Sequence, residues 1–326
     1  FCNYKSPVSD ETREIYSWIL LCLFPEPAII VEKAEPMNVT VGDVCTLQCK
    51  VSGTPELSVG WFKDGKELIS MAGSLPITVA WFHDGHKLTS SEKYQITFSD
   101  NVCTLQISSL NLSDTGAYVC KAANVAGSNE TRAVLTVQEP PSFVKEPESV
   151  HILPGRSATL SATIRGTPPF KVNWFRGVTE VVPSDKCNIY LEDSVTDLEL
   201  FDVEPSQSGE YTCIVSNEAG KASCTAHLLV KAIFVKKMSD HCVEPGKSII
   251  LESRYTGSLP ISVTWKKNGV VLSQSDKCSI TTTEKSCILE IFNSTKDDQG
   301  EYTCLVENEA GEDICEALVS TLGVSL

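Results

Sequence analysis

The chain has 326 residues, with 27 Lys and Arg against 42 Asp and Glu and a formal net charge of −15. A hydrophobic share of 42% is enough to build cores and excludes a disordered acidic tail. The acidic balance excludes nucleic acid as a partner, because its binders need basic surface to displace counterions, and the length suits two or three ordinary domains.

The chain opens at Phe1 and reads as a fragment. Its densest apolar run, Trp18 to Phe24, is far shorter than the roughly 20 residues that span a bilayer, so no membrane partner is expected. Nor does it read as a secretory signal: Lys5 and Arg13 are offset by Asp10, Glu11 and Glu14, and Pro25-Glu26-Pro27 follows in place of a small-residue cleavage site. Residues 1–25 are read as a leader outside any domain.

Residues 26–138 form the first unit, and part of it is doubled. Gly53 to Gly65 and Gly73 to Gly85 resemble each other at an offset of 20, and the duplication runs over 53–70 and 73–90. The second unit, 141–231, and the third, 233–321, are regular, and 322–326 is a tail. Trp81, Trp174 and Trp265 stand 93 and 91 residues apart, as do Cys120, Cys213 and Cys304, and each Trp precedes its Cys by 39. Gly116-Ala-Tyr-Val-Cys120 returns as Gly209-Glu-Tyr-Thr-Cys213 and Gly300-Glu-Tyr-Thr-Cys304. Asn124-Val-Ala-Gly127, Asn217-Glu-Ala-Gly220 and Asn308-Glu-Ala-Gly311 follow them.

A period near 92 fits a whole small domain, and the alternation of Phe170, Val172 and Trp174 with Lys171 and Asn173 is that of a strand. The fold class expected is therefore all-β: tandem immunoglobulin-like β-sandwiches in an extended array, each with a core Trp facing the inter-sheet space and a tyrosine corner two residues before the F-strand Cys. The core residues are Trp174, Trp265, Tyr118, Tyr211 and Tyr302, with Trp61 or Trp81 in the first unit. One sandwich has room for one strand C, so the other copy is expected as a displaced flap or extra edge strand.

The motifs Trp81-Phe-His-Asp-Gly85, Asp114-x-Gly-x-Tyr-x-Cys120, Asp298-x-Gly-x-Tyr-x-Cys304 and Asn-x-Ala-Gly resemble those of intermediate-set immunoglobulin domains of giant muscle proteins. So do the linkers Glu139-Pro-Pro-Ser-Phe-Val-Lys145 and Lys231-Ala-Ile-Phe-Val-Lys236. The resemblance covers about residues 26–321 and departs at Gln207, where the other units have Asp114 and Asp298. It implies a structural, load-bearing segment of a sarcomeric spring or scaffold in the I-band. The implied partners are neighbouring immunoglobulin domains of the same parent chain and other sarcomeric proteins. Tension along such a domain shears the first strand (Val150 to Leu153 in the second unit) against the last (Thr225 to Val230).

The 14 cysteines test the compartment. In extracellular relatives of this fold a bridge joins strands B and F. Twelve residues before Trp174 and Trp265 stand Ala162 and Ser253, so only the first unit offers the pair, Cys49 with Cys120. A bridge often worth about 2–5 kcal/mol would be kept in a secreted domain, so its absence favours a reducing cytosol. Cys213 with Cys224, Cys304 with Cys315, and Cys278 with Cys287 are further candidate disulfide or redox pairs, against the reading of all of them as buried packing thiols. The resemblance adds that oxidation there would tune mechanical strength. Four sequons, at Asn38, Asn111, Asn129 and Asn293, keep an extracellular adhesion or receptor ectodomain as the alternative.

No catalytic motif is present. His83 and His86 flank Asp84 without a third ligand, His151, His227 and His241 are scattered, and Cys45 follows the core face. No enzyme activity, catalytic residue, cofactor, metal or small-molecule substrate is expected.

Overall fold

Strict alternation builds the sheets. Cys45–Ser52, Ala158–Arg165 and Ile249–Thr256 each bury every second side chain, as a strand must when one face meets a core and the other meets water. The structure, a computed structural model, describes residues 26–53, 57–63, 66–73 and 77–322. The leader 1–25 and the tail after Leu322 lie outside the described residues. The chain divides between Pro140 and Pro141 into two units.

The first unit runs β1 (Ile29–Glu32), β2 (Met37–Thr40), β3 (Cys45–Ser52), β4 (Leu57–Lys63), β5 (Lys66–Gly73), β6 (Thr78–His83), β7 (His86–Lys87), β8 (Tyr94–Ser99), β9 (Val102–Ile107), β10 (Gly116–Asn124) and β11 (Gly127–Gln138). A four-stranded sheet in the order β1-β3-β9-β8 faces a five-stranded sheet in the order β2-β11-β10-β6-β7. The hairpin β4-β5 forms a two-stranded sheet of its own. The copy that enters the core is therefore β6: Trp81 is fully buried opposite Cys120. Trp61 lies in β4, where its partner in β5 is Ile69.

The second unit repeats the two-sheet pattern twice without the extra hairpin. One sandwich uses β12 (Ser142–Lys145), β13 (Val150–Ile152), β14 (Ala158–Arg165), β15 (Lys171–Arg176), β16 (Thr179–Glu180), β17 (Cys187–Glu192), β18 (Val195–Leu200), β19 (Gly209–Asn217) and β20 (Gly220–Val230). The other uses β21 (Ile233–Lys236), β22 (His241–Val243), β23 (Ile249–Thr256), β24 (Ser262–Lys267), β25 (Val270–Val271), β26 (Cys278–Thr282), β27 (Ser286–Ile291), β28 (Gly300–Asn308) and β29 (Gly311–Thr321). Trp174 stands opposite Cys213 and Trp265 opposite Cys304, both buried.

A 3₁₀ turn precedes each F-position strand: Leu112–Asp114, Pro205–Gln207 and Lys296–Asp298. The tyrosine hydroxyl two residues before each F-position Cys donates back to the last carbonyl of that turn, Tyr118 to Asp114 at 3.0 Å, Tyr211 to Gln207 at 2.8 Å and Tyr302 to Asp298 at 2.8 Å. The departure at Gln207 keeps the cap and drops a charge. Its side-chain oxygen accepts from the Glu204 backbone N–H at 2.9 Å, as the Asp114 carboxylate does from Asn111 and the Asp298 carboxylate from Thr295. The two aspartates also take a lysine, Lys93 at 2.6 Å and Lys277 at 2.7 Å, whereas the matching Lys186 pairs with exposed Asp202.

Burial pushes the Asp298 carboxyl up, but the Lys277 ammonium and the Thr295 backbone and hydroxyl donors outweigh it and hold it below its ordinary 3.8. A depressed native pKa contributes stability that is present above the unfolded value and is lost as pH falls through the native one. Asp298→Asn is expected to destabilise the third sandwich by about 1–2 kcal/mol at pH 7. That deficit should shrink as pH drops below about 4. Urea unfolding followed by hydrogen exchange in peptides covering β27 and β28 measures it; a deficit independent of pH would refute the charge-based account.

Candidate functional site

Three features recur in the sandwiches and carry candidate roles: the ladder joining first and last strands, a buried thiol cluster, and an asparagine at the F–G turn.

The first strand of each sandwich is split. Its early part pairs antiparallel with the B-position strand, and its later part crosses to lie parallel to the last strand. Met37–Thr40 runs beside Leu135 to Gln138, Val150–Ile152 beside Leu228 to Val230, and His241–Val243 beside Val319 to Thr321. Each ladder is extended by backbone bonds: Val41 N–H to Gln138 O at 2.9 Å, Lys231 N–H to Ile152 O at 2.8 Å and Leu322 N–H to Val243 O at 2.9 Å. Because the paired strands are parallel, pulling on the two chain ends slides them in opposite directions along one line. Every bond of the ladder is then loaded together.

The thiols gather at four facing register positions, two in each sheet. In the first sandwich these are Cys49 opposite Cys103 and Cys120 opposite Thr131. In the second they are Ala162 opposite Thr196 and Cys213 opposite Cys224. In the third they are Ser253 opposite Cys287 and Cys304 opposite Cys315. Cys49 and Cys120 are joined as a disulfide, and the Cys103 sulfur lies with theirs in a group whose sulfurs are all within 4.8 Å of one another. The Cys287 sulfur is 3.5 Å from that of Cys304, and the Cys315 sulfur is 3.4 Å from the Ser253 hydroxyl.

Cys278 and Cys287, expected to lie close across two strands, do not. Cys278 faces Ile291 and Cys287 faces Thr282, at opposite ends of the β26-β27 ladder. Strand offset, set by the hairpin register, decides this. Cys103 is the member that sequence reasoning missed, and Cys287, expected beside Cys278, joins this cluster instead; a signal existed, since each precedes its F-position cysteine by 17 residues. Cys45 is buried 3.8 Å from the Met37 sulfur, a packing position.

The environments separate these thiols. Burial pushes Cys213 up to about 12 and Cys224 up to about 11, so both are protonated and unreactive at neutral pH. In the third sandwich the Cys304 thiol is held protonated, first by its hydrogen bonds with Cys287 and Cys315 and then by burial. Cys315 moves the other way, to about 6. The Cys304 hydrogen bond pulls it down first, with the Ser253 hydroxyl, the Met238 backbone and the Lys237 charge assisting against burial.

The turn asparagines explain the repeated Asn-x-Ala-Gly. Each side-chain oxygen accepts from the N–H two residues on: Asn124 from Ala126 at 3.1 Å, Asn217 from Ala219 at 2.9 Å and Asn308 from Ala310 at 3.1 Å. Asn308 also ties the junction of the second and third sandwiches. Its amide donates to Val230 O at 2.8 Å and Ser258 O at 2.9 Å, and its oxygen accepts from Ala232 N–H at 3.2 Å. The Ser258 hydroxyl accepts from Val230 N–H and lies 2.5 Å from the Ser208 hydroxyl. A Cβ on Gly257 would sit 2.8 Å from the Ala232 Cα, so the close approach there needs glycine. Only Lys231 and Ala232 separate β20 from β21, and Ala232 is buried.

The remaining candidates are dispersed. The His83 ring stacks on Tyr118 at 4.3 Å with its Nε2 3.5 Å from Asp84, while His86 is exposed. Asn38, Asn111, Asn129 and Asn293 are all exposed. Among the described residues no helix is long and apolar enough to cross a membrane.

The sequence pattern of the immunoglobulin I-set domain matches residues 28–73, 69–137, 141–230 and 232–321. The first two matches divide the doubled unit between them. The chain is 29% identical over 300 residues to human Hemicentin-1, covering 89% of this chain and 5% of that protein. It is 29% identical over 325 residues to the muscle M-line assembly protein unc-89 of Caenorhabditis elegans, covering 96% of this chain and 4% of that protein. Mouse Roundabout homolog 1 is 28% identical over 324 residues, covering 95% of this chain and 18% of that protein. The chain thus spans a small part of these relatives. Among solved structures, the I-band fragment I67-I69 from titin superposes with a TM-score of 0.61 at 28% identity, over 91% of this chain and 99% of that one.

Asn308→Ala removes both the turn bond and the junction bonds. It is expected to cost the third sandwich about 1–3 kcal/mol and to speed tryptic cleavage after Lys231. Unchanged cleavage kinetics would show that the junction does not depend on Asn308.

Proposed function

Because the chain belongs to the immunoglobulin I-set family, a β-sandwich fold that typically carries no catalysis, we propose that it is a load-bearing segment of a giant muscle protein of the titin kind. In this reading it is cytoplasmic, in the I-band of the sarcomere, and serves as part of a molecular spring and scaffold. The observation that carries it is the parallel ladder between first and last strands, present in each of the three sandwiches. Forced unfolding is governed by the unfolding barrier, and a ladder loaded in shear raises that barrier because its bonds must fail together. The short, bonded Lys231–Ala232 junction supports the reading, since it passes tension from one sandwich to the next with little slack. Its partners are the neighbouring immunoglobulin domains of the parent chain and other sarcomeric proteins. The unc-89 similarity and the titin fragment favour this setting.

The second reading is an extracellular adhesion or receptor module. It draws on the Cys49–Cys120 bridge, the exposed sequons, and the similarity to Hemicentin-1 and Roundabout homolog 1. Peptide mapping of the native chain separates the two: bare Asn38, Asn111, Asn129 and Asn293 support the sarcomeric reading, and glycans on them overturn it.

The mechanical reading predicts a selective defect. Ile152→Pro breaks the β13-β20 ladder: the Ile152 carbonyl accepts from Lys231, so its own N–H also faces β20, and proline removes it. Losing one bond worth about 1 kcal/mol is expected to speed unfolding of the second sandwich at constant force about fivefold. The other two sandwiches should unfold as before. Force-clamp spectroscopy reads the three events separately; an unchanged rate would remove the ladder as the mechanical element.

A further inference from the structure

The first unit contains two copies of one strand, and its sheet uses one of them. β6 lies beside β10 in unbroken register, with Trp81 opposite Cys120 and Val79 opposite Ala122. β4 is its copy: Val59, Trp61 and Phe62 stand 20 residues before Val79, Trp81 and Phe82, and Asp64-Gly65 matches Asp84-Gly85.

The spacings show that each copy suits one of the two connections. Trp61 stands nine residues after Ser52, the end of β3. The same interval separates Arg165 from Trp174 and Thr256 from Trp265, whereas Trp81 is 29 residues away. In the other direction, Trp81 stands 13 residues before Tyr94, as Trp174 does before Cys187 and Trp265 before Cys278. The surplus residues can therefore be carried ahead of the core strand or behind it.

The present pairing of β4 is also easily surrendered. Among the described residues it pairs only with β5, with a register shift at Trp61/Phe62, and an isolated two-stranded hairpin is marginal in water. Moving a surface excursion from one connection to the other changes loop-closure entropy little, because that cost grows only slowly with loop length.

We propose that β4 and β6 exchange as the strand beside β10 within one chain, so that the first sandwich has two folded states related by a 20-residue shift. In the second state Trp61 stands opposite Cys120. Two differences make β6 the major occupant. Gly60 replaces Ala80 in mid-strand, where glycine loses more freedom on ordering, and Lys63 replaces His83, so the ring stacked on Tyr118 is lost. A minor state at roughly 0.1–10% follows the usual range for such pairs. The exchange is independent of the mechanical reading.

Labelling the whole chain with 5-fluorotryptophan and assigning its fluorine resonances by single Trp→Phe changes tests this. The wild type is expected to show saturation transfer between major and minor resonances of both Trp61 and Trp81. Ala80→Gly with His83→Lys should raise the minor population several-fold. In Trp81→Asp, Trp61 should take the core shift and the sandwich should stay folded. Deleting 53–72 or 73–92 leaves one copy with both connections at the normal interval, and both deletions are expected to fold. The proposal is overturned if the 73–92 deletion fails to fold. It is equally overturned if that deletion folds but the full-length variants show no exchange and Trp81→Asp leaves the Trp61 resonance where it was.

Discussion

One rung organises each sandwich: a tryptophan on the C-position strand directly opposite the F-position cysteine, Trp81 with Cys120, Trp174 with Cys213 and Trp265 with Cys304. The indole fills the space between the sheets. Because side chains alternate with period two, fixing this rung fixes which residues of both strands face inward. The tyrosine two residues earlier then points to the core as well, and its hydroxyl must find a partner there. It finds the carbonyl at the end of the 3₁₀ turn, which anchors the chain as it enters the F-position strand. The turn, the corner and the register are therefore consequences of one packing decision made three times.

The same constraint gathers the thiols. Residues facing the indole across the sheets occupy four fixed positions, and a cysteine at any of them is buried beside the others. The sandwiches fill these positions differently, which gives three chemical situations on one geometry. The first has a disulfide with a third sulfur close by. The second has two neutral thiols facing each other, and a threonine that accepts from the Trp174 indole at 3.5 Å. The third has three thiols joined by hydrogen bonds, one of them held near 6. Burial alone raises a thiol, so the separation of Cys304 from Cys315 arises from donor direction: one gives its proton to the bond that the other accepts.

Polar side chains at the ends of the sandwiches do work that burial cannot. Asn308 serves the F–G turn and the inter-domain junction with the same amide, which couples the third sandwich's local turn to the end of the second. Asp298 and Asp114 cap a turn and hold a lysine, while Gln207 caps without holding one.

By itself the sequence determined the all-β class, the three-fold repeat, and the core tryptophans and corner tyrosines of the regular units. Those features are local or periodic: a two-residue alternation, a fixed interval from Trp to Cys, a turn motif. It also marked the doubled segment as a conflict over one strand position. Only the tertiary structure decided that β6 takes the position, because both copies have the residues for it and differ in the strands and connections around them. Only the structure paired Cys287 with Cys304 and moved Cys278 away, since cross-strand neighbours depend on where each hairpin sets its register. Only the structure showed that Asn308 reaches Val230, residues that are 78 positions apart in the chain and meet because one sandwich ends where the next begins.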